Sequence, residues 1–163
     1  TATTEIYPLP LHDALPIWID TLTAAFAAID ADLLVTSGGA SVGDHDLVRP
    51  ALEAAGTEID FWRIAMRPGK PLMAGRMRDT VVLGLPGNPV SAYVTALLFV
   101  LPMVAYLSGA ADPLPRRRTA IVGSALPANG PLADHIRAVH RDGRVVPADR
   151  QDSSMLRILV ASD

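Results

Sequence analysis

The sequence predicts an α/β fold, in which a layered domain of helices on a sheet is followed by a small β domain. Apolar residues recur at helical spacing near the start of the chain, and an uncharged strand from Thr80 to Leu85 runs directly into the longest predicted helix. The end of the chain offers only short strand-like pieces between glycine, proline and aspartate. The predicted division is an α/β domain over 17–111, a linker over 112–118 and a truncated β domain over 119–163.

The opening residues, 1–16, fit none of this pattern. Pro8, Pro10 and Pro16 exclude a helix, and the apolar residues between them follow no period. A signal peptide would need a basic start and a longer apolar run, which this stretch lacks. We therefore expect a foreign or disordered leader and a fold that begins at residue 17.

Each element of the α/β domain has a local signal. Trp18, Leu22 and Phe26 share one face of the first helix. Asp46 is placed to cap a second helix, which ends at Gly56. The predicted helices cover 17–29, 47–55 and 89–107, and the predicted strands cover 32–36, 58–65, 71–76, 80–85, 119–122, 135–139, 144–146 and 156–160.

Charge and composition exclude several classes of function. The chain has 14 basic and 17 acidic residues, a net charge of −3, which gives no support for nucleic-acid binding. It has no cysteine, so disulfides and thiolate metal sites are excluded and a cytoplasmic location is expected. The uncharged stretch from Thr80 to Ala111 is interrupted by Pro86, Pro89 and Pro102, and no Lys or Arg cluster immediately flanks it. We expect a buried helix there rather than a membrane span.

The chain is organised around the sequence Gly-Leu-Pro-Gly-Asn-Pro-Val-Ser from Gly84 to Ser91, where a strand turns into the long helix. Asn88 is a favourable N-cap and Pro89 suits the first helical position, so the free N–H groups of the helix start face outward. Such an end attracts anions, although the same turn could also be a simple connection. The ligand-binding candidates are Pro86, Gly87, Asn88, Pro89 and Ser91.

A glycine-rich loop, Thr-Ser-Gly-Gly-Ala-Ser-Val-Gly-Asp-His-Asp, runs from Thr36 to Asp46. Its glycines can adopt positive φ and let successive N–H groups form an anion nest, to which the hydroxyls add donors. The dinucleotide fingerprint and the Walker loop both require other spacings, and an ordinary strand-to-helix loop is the alternative. The candidates are Thr36, Ser37, Gly38, Gly39, Ser41 and Gly43.

Two carboxylates close this loop. Asp44 and Asp46 are two residues apart, and one or both could hold Mg²⁺ beside a bound phosphate or oxyanion. Asp46 could instead cap the following helix, and the two roles are compatible. His45 has no His or Cys partner at metal-ligand spacing, so we interpret it as a loop residue.

A rigid turn, Arg67-Pro-Gly-Lys-Pro71, places a cation on each side of Pro-Gly. Such a turn holds both charged groups on one side, as recognition of an oxyanion or pyrophosphate requires. Lys70 is the only lysine among the 14 basic residues, which suggests that a compact ammonium is needed there. Arg63, on the same predicted strand as Arg67, adds to the positive field; solvated surface charges are the alternative.

In their order and spacing, these three motifs resemble the molybdopterin molybdenumtransferase family, which includes the E domain of gephyrin. The resemblance covers about 18–163 and implies a three-layer molybdopterin-binding domain, incomplete at its N-terminus, with a partial β domain after it. It further implies an enzyme of molybdenum cofactor biosynthesis. Such an enzyme takes adenylated molybdopterin and molybdate, hydrolyses the adenylate with Mg²⁺, releases AMP and leaves molybdenum on the dithiolene.

The resemblance also implies catalytic roles. Asp46 matches a family acidic position near the metal or molybdate. Arg63, Arg67 and Lys70 match the basic positions that meet oxyanion and phosphate, although lysine is common where this chain has the two arginines. The exchange keeps the charge and changes the reach and donor geometry.

Further implied roles concern pocket shape and assembly. Pro86 and Pro89 match the turn that shapes the pocket, and Arg137 and Ser153 match positions that face the site of a partner subunit. The implied partners are a second copy of the chain and a molybdopterin adenylyltransferase. The family's N-terminal domains and its acidic Gly-Asp-Glu motif are absent, so we expect half an active site that is inactive by itself.

Two other functions compete with this interpretation. A molybdopterin adenylyltransferase shares the Ser-Gly-Gly loop, but the β domain and the Pro-Gly-Asn-Pro turn argue against it; AMP transfer from ATP onto molybdopterin would favour it. A non-catalytic interaction module would bind a protein partner and no pterin.

Overall fold

The computed structural model describes residues 18–39, 46–149, 151 and 159. The predicted leader and nearly all of the predicted strand over 156–160 lie outside these residues. Within them the α/β class is confirmed: helices accompany a four-stranded mixed sheet, and shorter strands follow toward the end of the chain.

The described helices lie close to the predicted positions. The longest one continues from Pro89 to Leu107 and contains a π-helical turn just before Pro102. Proline has no N–H to donate and its ring crowds the carbonyl four residues earlier, so the wider turn accommodates it. The helices are α1 (Ile19–Ala27), α2 (Val48–Ala54), α3 (Pro89–Thr95) and α4 (Leu101–Leu107), with the π-helical turn at Ala96–Val100 between the last two.

The main sheet has the strand order β1-β5-β4-β2, with β1 and β5 parallel and the other neighbours antiparallel. In the parallel pair, Leu33 lies opposite Val81 and Ser37 opposite Leu85, so both strands end at the same edge. The strands are β1 (Leu33–Ser37), β2 (Glu58–Phe61), β3 (Met66–Arg67), β4 (Met73–Met77), β5 (Thr80–Leu85), β6 (Ile121–Val122), β7 (Ala133–Asp134), β8 (Ala138–Arg141) and β9 (Arg144–Pro147).

The core fills the space between the main sheet and the first two helices. Its buried side chains come from α1, α2, β4 and β5, and period-two alternation along β5 leaves Leu83 and Leu85 buried outside this cluster. Burial of these apolar side chains is the main stabilising term and fixes the positions of the strand ends. The cluster comprises Phe26, Ala51, Leu52, Met73, Met77 and Val82.

The predicted helix cap at Asp46 is wrong. α2 begins at Val48, and Leu47 occupies the N-cap position without a side-chain hydrogen bond. The other end follows the prediction: Gly56 has φ +90° just past the helix, and the N–H of Thr57 donates to the carbonyl of Leu52 at 2.9 Å.

The predicted strand over 58–65 is also shorter than expected. The pairing of β2 with β4 shifts register between Ile59 and Phe61, and the strand ends there. Such an irregularity bends the chain away from the sheet. Arg63 therefore lies in the exposed segment before β3. The prediction that Arg63 and Arg67 share a strand is wrong.

The long helix is buried along one face and exposed along the opposite face. The prediction of a buried helix is therefore wrong for the exposed face. Val90 and Thr95 are fully buried, whereas the exposed face carries Tyr93, Leu97, Leu101 and Val104. By length and composition the helix could cross a membrane, with 19 residues, a mean hydropathy of 2.0 and 28% of the window buried. The helix of a soluble protein passes the same test, so this is weak support for a membrane span.

The C-terminal strands form a small sheet and also join the α/β part. The small sheet has the order β6-β9-β8, and β7 instead pairs in parallel with β3. Ala133 donates its N–H to the carbonyl of Ala65, and His135 donates to Arg67, each at 2.8 Å. Residues 112–118 contain neither helix nor strand. The β3–β7 junction thus brings the residues after β7 beside the Arg67 turn.

Candidate functional site

The first part of the site lies where the parallel strands β1 and β5 end. Gly38, just after β1, donates its N–H to the carbonyl of Leu85 at 3.0 Å. The two loops then touch, because a Cβ on Gly87 would lie 3.3 Å from the Cα of Gly38. The crevice outside the carboxyl ends of parallel strands is where open α/β sheets bind ligands.

The first two glycines of the glycine-rich loop adopt the positive φ that the sequence predicts. Gly38 has φ +83° and Gly39 has φ +70°, conformations that favour glycine. Because the N–H of Gly38 is bonded to Leu85, an anion nest in this loop would begin with the N–H of Gly39. A Cβ on Gly39 would overlap Val48 and would lie 3.2 Å from Oδ1 of Asp46. Glycine at this position therefore lets the loop approach the Asp46 carboxylate, whose two oxygens are both buried.

Thr36 supplies a hydroxyl at the same strand end. Its Oγ1 is buried and has no hydrogen-bond partner within residues 18–39 and 46–149. It lies opposite Gly84 on β5, where a side chain would come within 3.4 Å of the hydroxyl. A buried hydroxyl without a partner costs free energy, so this oxygen is suited to a ligand's polar group. Ser37, the next residue, is exposed.

The predicted cap of the long helix is confirmed. Asn88 is the N-cap of α3, and its side-chain oxygen accepts from the N–H groups of Val90 at 3.2 Å and Ser91 at 3.3 Å. Pro89 occupies the first helical position, while Pro86 before it is buried. The cap fixes the direction in which the first turn of α3 leaves the strand-end loops.

A cleft of about 830 Å³ forms the second part of the site. It lies between the Arg67 turn, the first turn of α3 and the residues that follow β7 and β9. Four predicted site residues line it: Arg67, Lys70, Ser91 and Arg137. Because Ser91 follows Asn88 in the first turn of α3, that turn joins the cleft to the strand-end loops.

The Arg67 turn is held against the helix by close packing. Gly69 has φ +109°, and a Cβ there would lie 2.5 Å from Cγ2 of Thr95 and 3.3 Å from Cε of Met66. Thr95 is fully buried and donates its hydroxyl to the carbonyl of Ser91 at 2.8 Å. This contact sets how far Lys70 stands from α3.

Arg67 is paired with an aspartate that the sequence did not reveal. Its Nε donates to Oδ1 of Asp134 at 2.7 Å, and its Nη2 donates to Oδ2 at 2.6 Å. The hydrogen bonds and charge of this pair raise the pKa of Arg67 above its ordinary value. The hydrogen bond from Arg67 is also the main reason that the pKa of Asp134 is held below its usual range.

Arg137 lies in the wall of the cleft with 7% of its surface exposed. Its Nη1 donates to the carbonyl of His135 at 3.4 Å, and its backbone N–H and carbonyl bind the amide of Gln151, both at 2.9 Å. The resemblance implied that Arg137 faces a partner's site. In the structure Arg137 lines the cleft of its own chain, because the β3–β7 junction places residues 133–137 beside Arg67. Its role toward a partner subunit stays a prediction.

Not every predicted residue joins this arrangement. Arg63 is exposed and does not line the cleft. Asp134, His135 and Gln151 line it without having been predicted, because no local motif marks them. A second, more apolar cleft of about 1160 Å³ beside α4 has none of the predicted residues in its lining. Four predicted residues lie outside the described part of the chain: Ser41, Gly43, Asp44 and Ser153.

Of the two predicted Mg²⁺ ligands, Asp46 lies within the described residues and Asp44 lies outside them. Among the described residues no group of three or more His, Asp or Glu side chains is arranged to hold a metal ion. Asp46 nonetheless fits a single carboxylate ligand, because it lies beside the glycine loop. Mg²⁺ commonly takes one or two protein carboxylates and completes its shell with phosphate oxygens and water.

Comparison with known proteins agrees with this geometry. Residues 14–106 match the family model described as "Probable molybdopterin binding domain". A molybdopterin molybdenumtransferase from Haemophilus influenzae is 48% identical over 83 residues, which are 51% of this chain and 20% of that protein. Molybdopterin molybdenumtransferase 2 from Mycobacterium tuberculosis is 34% identical over 143 residues, 83% of this chain and 35% of that protein.

A solved structure shows the same relationship. A molybdenum cofactor biosynthesis protein from Pyrococcus furiosus aligns with a TM-score of 0.56 and 27% identity, over 72% of this chain and 46% of that one. The chain spans 20% and 35% of the length of the two curated relatives above. The family match covers more than half of the chain, so the chain belongs to the molybdopterin-binding domain family and is a relative of the molybdopterin molybdenumtransferases of molybdenum cofactor biosynthesis.

Proposed function

We propose that this chain binds adenylated molybdopterin and takes part in inserting molybdenum from molybdate into it, with release of AMP. The observation that supports this most directly is the convergence of Arg67, Lys70, Ser91 and Arg137 on one cleft. Three cations and a hydroxyl suit a ligand that carries several phosphate and oxyanion groups. A volume of about 830 Å³ is in the range of small-molecule sites.

The two parts of the site suit different parts of the ligand. The strand-end loops offer the backbone N–H of Gly39 and the Thr36 hydroxyl, which match a polar ring or a phosphate, while the N–H of Gly38 is bonded to Leu85. The cleft offers the flexible ammonium of Lys70 and the planar donors of Arg67 and Arg137. We infer that the ligand spans both parts across the first turn of α3, with Ser91 between them.

The chemistry that this arrangement supports is hydrolysis of a phosphoanhydride followed by exchange at molybdenum. A water oxygen forms a bond to the phosphorus of AMP while the anhydride P–O bond breaks, and the molybdopterin phosphate leaves with the proton that the water gives up. At molybdenum, the two thiol sulfurs of molybdopterin form bonds to the metal, and one oxygen of molybdate leaves as water with the two thiol protons. Negative charge grows on the phosphoryl oxygens, where Lys70 and Arg67 would stabilise it. Molybdate is a substrate in this reaction, and its negative charge is attracted by the same cations.

Mg²⁺ belongs to the proposal as a cofactor. Asp46 would supply one ligand and Asp44 a second, and the bound ion would offset phosphate charge during the hydrolysis. Since Asp46 lies beside the glycine loop, its carboxylate would otherwise repel a phosphate bound there.

The remaining proposals concern organisation and assembly. We propose an α/β domain over 17–111, a linker over 112–118, a β domain over 119–163 and a cytoplasmic location. We also propose a homodimer and a contact with molybdopterin adenylyltransferase. The exposed apolar face of the long helix, formed by Tyr93, Leu97, Leu101 and Val104, supports the homodimer. Sedimentation velocity of Leu101→Glu tests the homodimer, with Ile121→Glu, at an exposed position on β6, as its control.

The test of the function is a titration of the full chain with adenylated molybdopterin, with and without Mg²⁺, followed by tryptophan fluorescence and thermal unfolding. Saturable binding is expected, and Lys70→Gln should weaken it by about tenfold, the effect of one charge-assisted hydrogen bond. Arg144→Gln removes an exposed cation outside the cleft and should leave the affinity unchanged.

Two results would contradict the proposal. A cooperatively folded chain that binds no pterin, but captures a protein partner, would indicate an interaction module. Transfer of AMP from ATP onto molybdopterin would indicate an adenylyltransferase instead. The Asp46→Asn variant separates the metal role. It should weaken binding when Mg²⁺ is present, and strengthen it slightly when Mg²⁺ is left out, because the repulsion between the carboxylate and the phosphate is then removed.

A further inference from the structure

The Arg67–Asp134 pair leaves part of the guanidinium uncommitted. A guanidinium has five N–H donors in one plane. Asp134 takes the Nε–H and one N–H of Nη2. The end-on edge, formed by Nη1 and the other N–H of Nη2, faces away from this carboxylate by covalent geometry. The Arg67 side chain is 67% exposed, so this edge is accessible.

Asp134 itself is rigidly placed. Its side chain is 13% exposed, and it lies directly opposite Arg67 in the β3–β7 pairing. The residues on each side, Ala133 and His135, donate backbone hydrogen bonds to Ala65 and Arg67. The carboxylate is therefore fixed relative to the backbone of the residue whose side chain it holds.

We propose that Asp134 is a positioning residue, which holds the guanidinium of Arg67 so that its end-on edge meets an oxyanion in the cleft. The inference rests on the proposed function for the identity of the ligand and on the observed pair for its geometry. A free arginine side chain loses rotamer freedom when it binds, and one held in advance has already lost it. Asp134 thus orients Arg67 before the ligand binds, while its negative charge cancels the positive charge of Arg67.

Charge and positioning make opposite predictions for Asp134→Asn. The variant removes one negative charge from beside the cleft, so electrostatics alone would strengthen the binding of an anion. If Asp134 positions Arg67, the same variant loosens the guanidinium and weakens binding. The sign of the change decides between the two.

The experiment is calorimetric titration of the full chain with inorganic pyrophosphate. Asp134→Asn is expected to weaken binding by about three- to tenfold, the cost of immobilising one long side chain. Glu53→Gln is the matched control, because it removes one negative charge from the exposed Arg49–Glu53 pair on α2, whose atoms lie 2.9 Å apart. That control should change the affinity by less than about twofold.

A double-mutant cycle separates positioning from a general loss of structure. Arg67→Lys keeps the charge but has no second planar edge, so it should weaken binding on its own. In the Arg67→Lys background, Asp134→Asn should no longer weaken binding, because there is no guanidinium to orient. Should Asp134→Asn fail to fold, Asp134→Glu carries the test, since it keeps the charge, moves the carboxylate and should still weaken binding.

Unchanged or tighter pyrophosphate binding by folded Asp134→Asn would overturn this inference and leave the proposed function standing. Pyrophosphate binding that depends on Asp134, in a chain that binds no adenylated molybdopterin, would contradict the proposed function and leave the inference standing. A wild-type chain that binds no pyrophosphate would overturn the inference.

Discussion

Gly38 and Gly87 bring the two strand-end loops into direct backbone contact, since a Cβ on Gly87 would lie 3.3 Å from the Cα of Gly38. The contact follows from the parallel pairing of β1 with β5, which places Ser37 opposite Leu85 at the shared edge. Any side chain at Gly87 must push the loops apart by a few tenths of an ångström. The spacing of the nest from the start of α3 depends on this pair.

The Gly87→Ala variant should therefore weaken binding as well as folding. We expect a loss of about 1 kcal/mol in the free energy of unfolding, typical of mild overpacking, together with several-fold weaker binding of adenylated molybdopterin. Gly130→Ala is the matched control, because a Cβ there meets nothing within 4 Å. Urea unfolding and fluorescence titration measure the two effects, and equal behaviour of both variants would contradict the prediction.

A stronger effect is expected at Gly39. Gly39→Ala places a methyl group against Val48 at φ +70°, so backbone strain and overlap add to about 3 kcal/mol or more of lost stability. Gly109→Ala has a similar φ of +82° and no neighbour within 4 Å, so it should cost only about 1 to 2 kcal/mol. Urea unfolding of both variants tests the difference, which vanishes if the Val48 contact is unimportant.

The cap of α3 gives a prediction with a conservative rescue. Asn88→Ala removes the acceptor of the Val90 and Ser91 N–H groups and should destabilise the chain by about 1 kcal/mol. Asn88→Asp keeps an acceptor and adds a negative charge at the helix start, so its stability should match or exceed that of the wild type. A stable Asn88→Ala variant in thermal unfolding would show that the cap is dispensable.

Acid should weaken the Arg67–Asp134 pair. The pKa of Asp134 is lowered in the folded chain, so its contribution to stability is present above the unfolded value, about 3.9, and is lost as pH falls through the folded value. The pKa of Arg67 is raised, so its contribution to stability is present throughout this range and is lost only in strong alkali. The stability difference between wild type and Asp134→Asn should therefore narrow as pH falls below about 4. Urea midpoints from neutral to acid pH measure it, and parallel profiles would contradict the assignment.

Local patterns in the sequence predicted the parts of the site that depend on neighbouring residues. Asn88 and Pro89 mark a helix start within one turn, and Gly38 and Gly39 mark a loop with positive φ, so both features could be found without tertiary contacts. Because the charge pattern and the Pro-Gly turn are also local, Lys70 was found in the same way.

Features of the site that depend on contacts between residues far apart in the chain could not be predicted from the sequence. Asp134 is 67 residues from Arg67, and only the β3–β7 junction brings the two together. The early end of β2 arises from irregular pairing with β4, so Arg63 was placed on a strand that does not reach it. The cap predicted at Asp46 failed because α2 starts after Leu47, which leaves that carboxylate beside Gly39.

The β3–β7 junction also allows ligand binding in the cleft to be measured without following the reaction. A ligand that contacts Lys70 on one side and Arg137 on the other spans the junction. Because such a ligand binds only when both sides are in place, its binding raises the free energy needed to separate β3 from β7. The amide of His135, which donates to Arg67 across the junction, should then exchange its hydrogen more slowly as the cleft fills. The exchange rate of this one amide, measured against ligand concentration, would give the affinity of the cleft for its ligand.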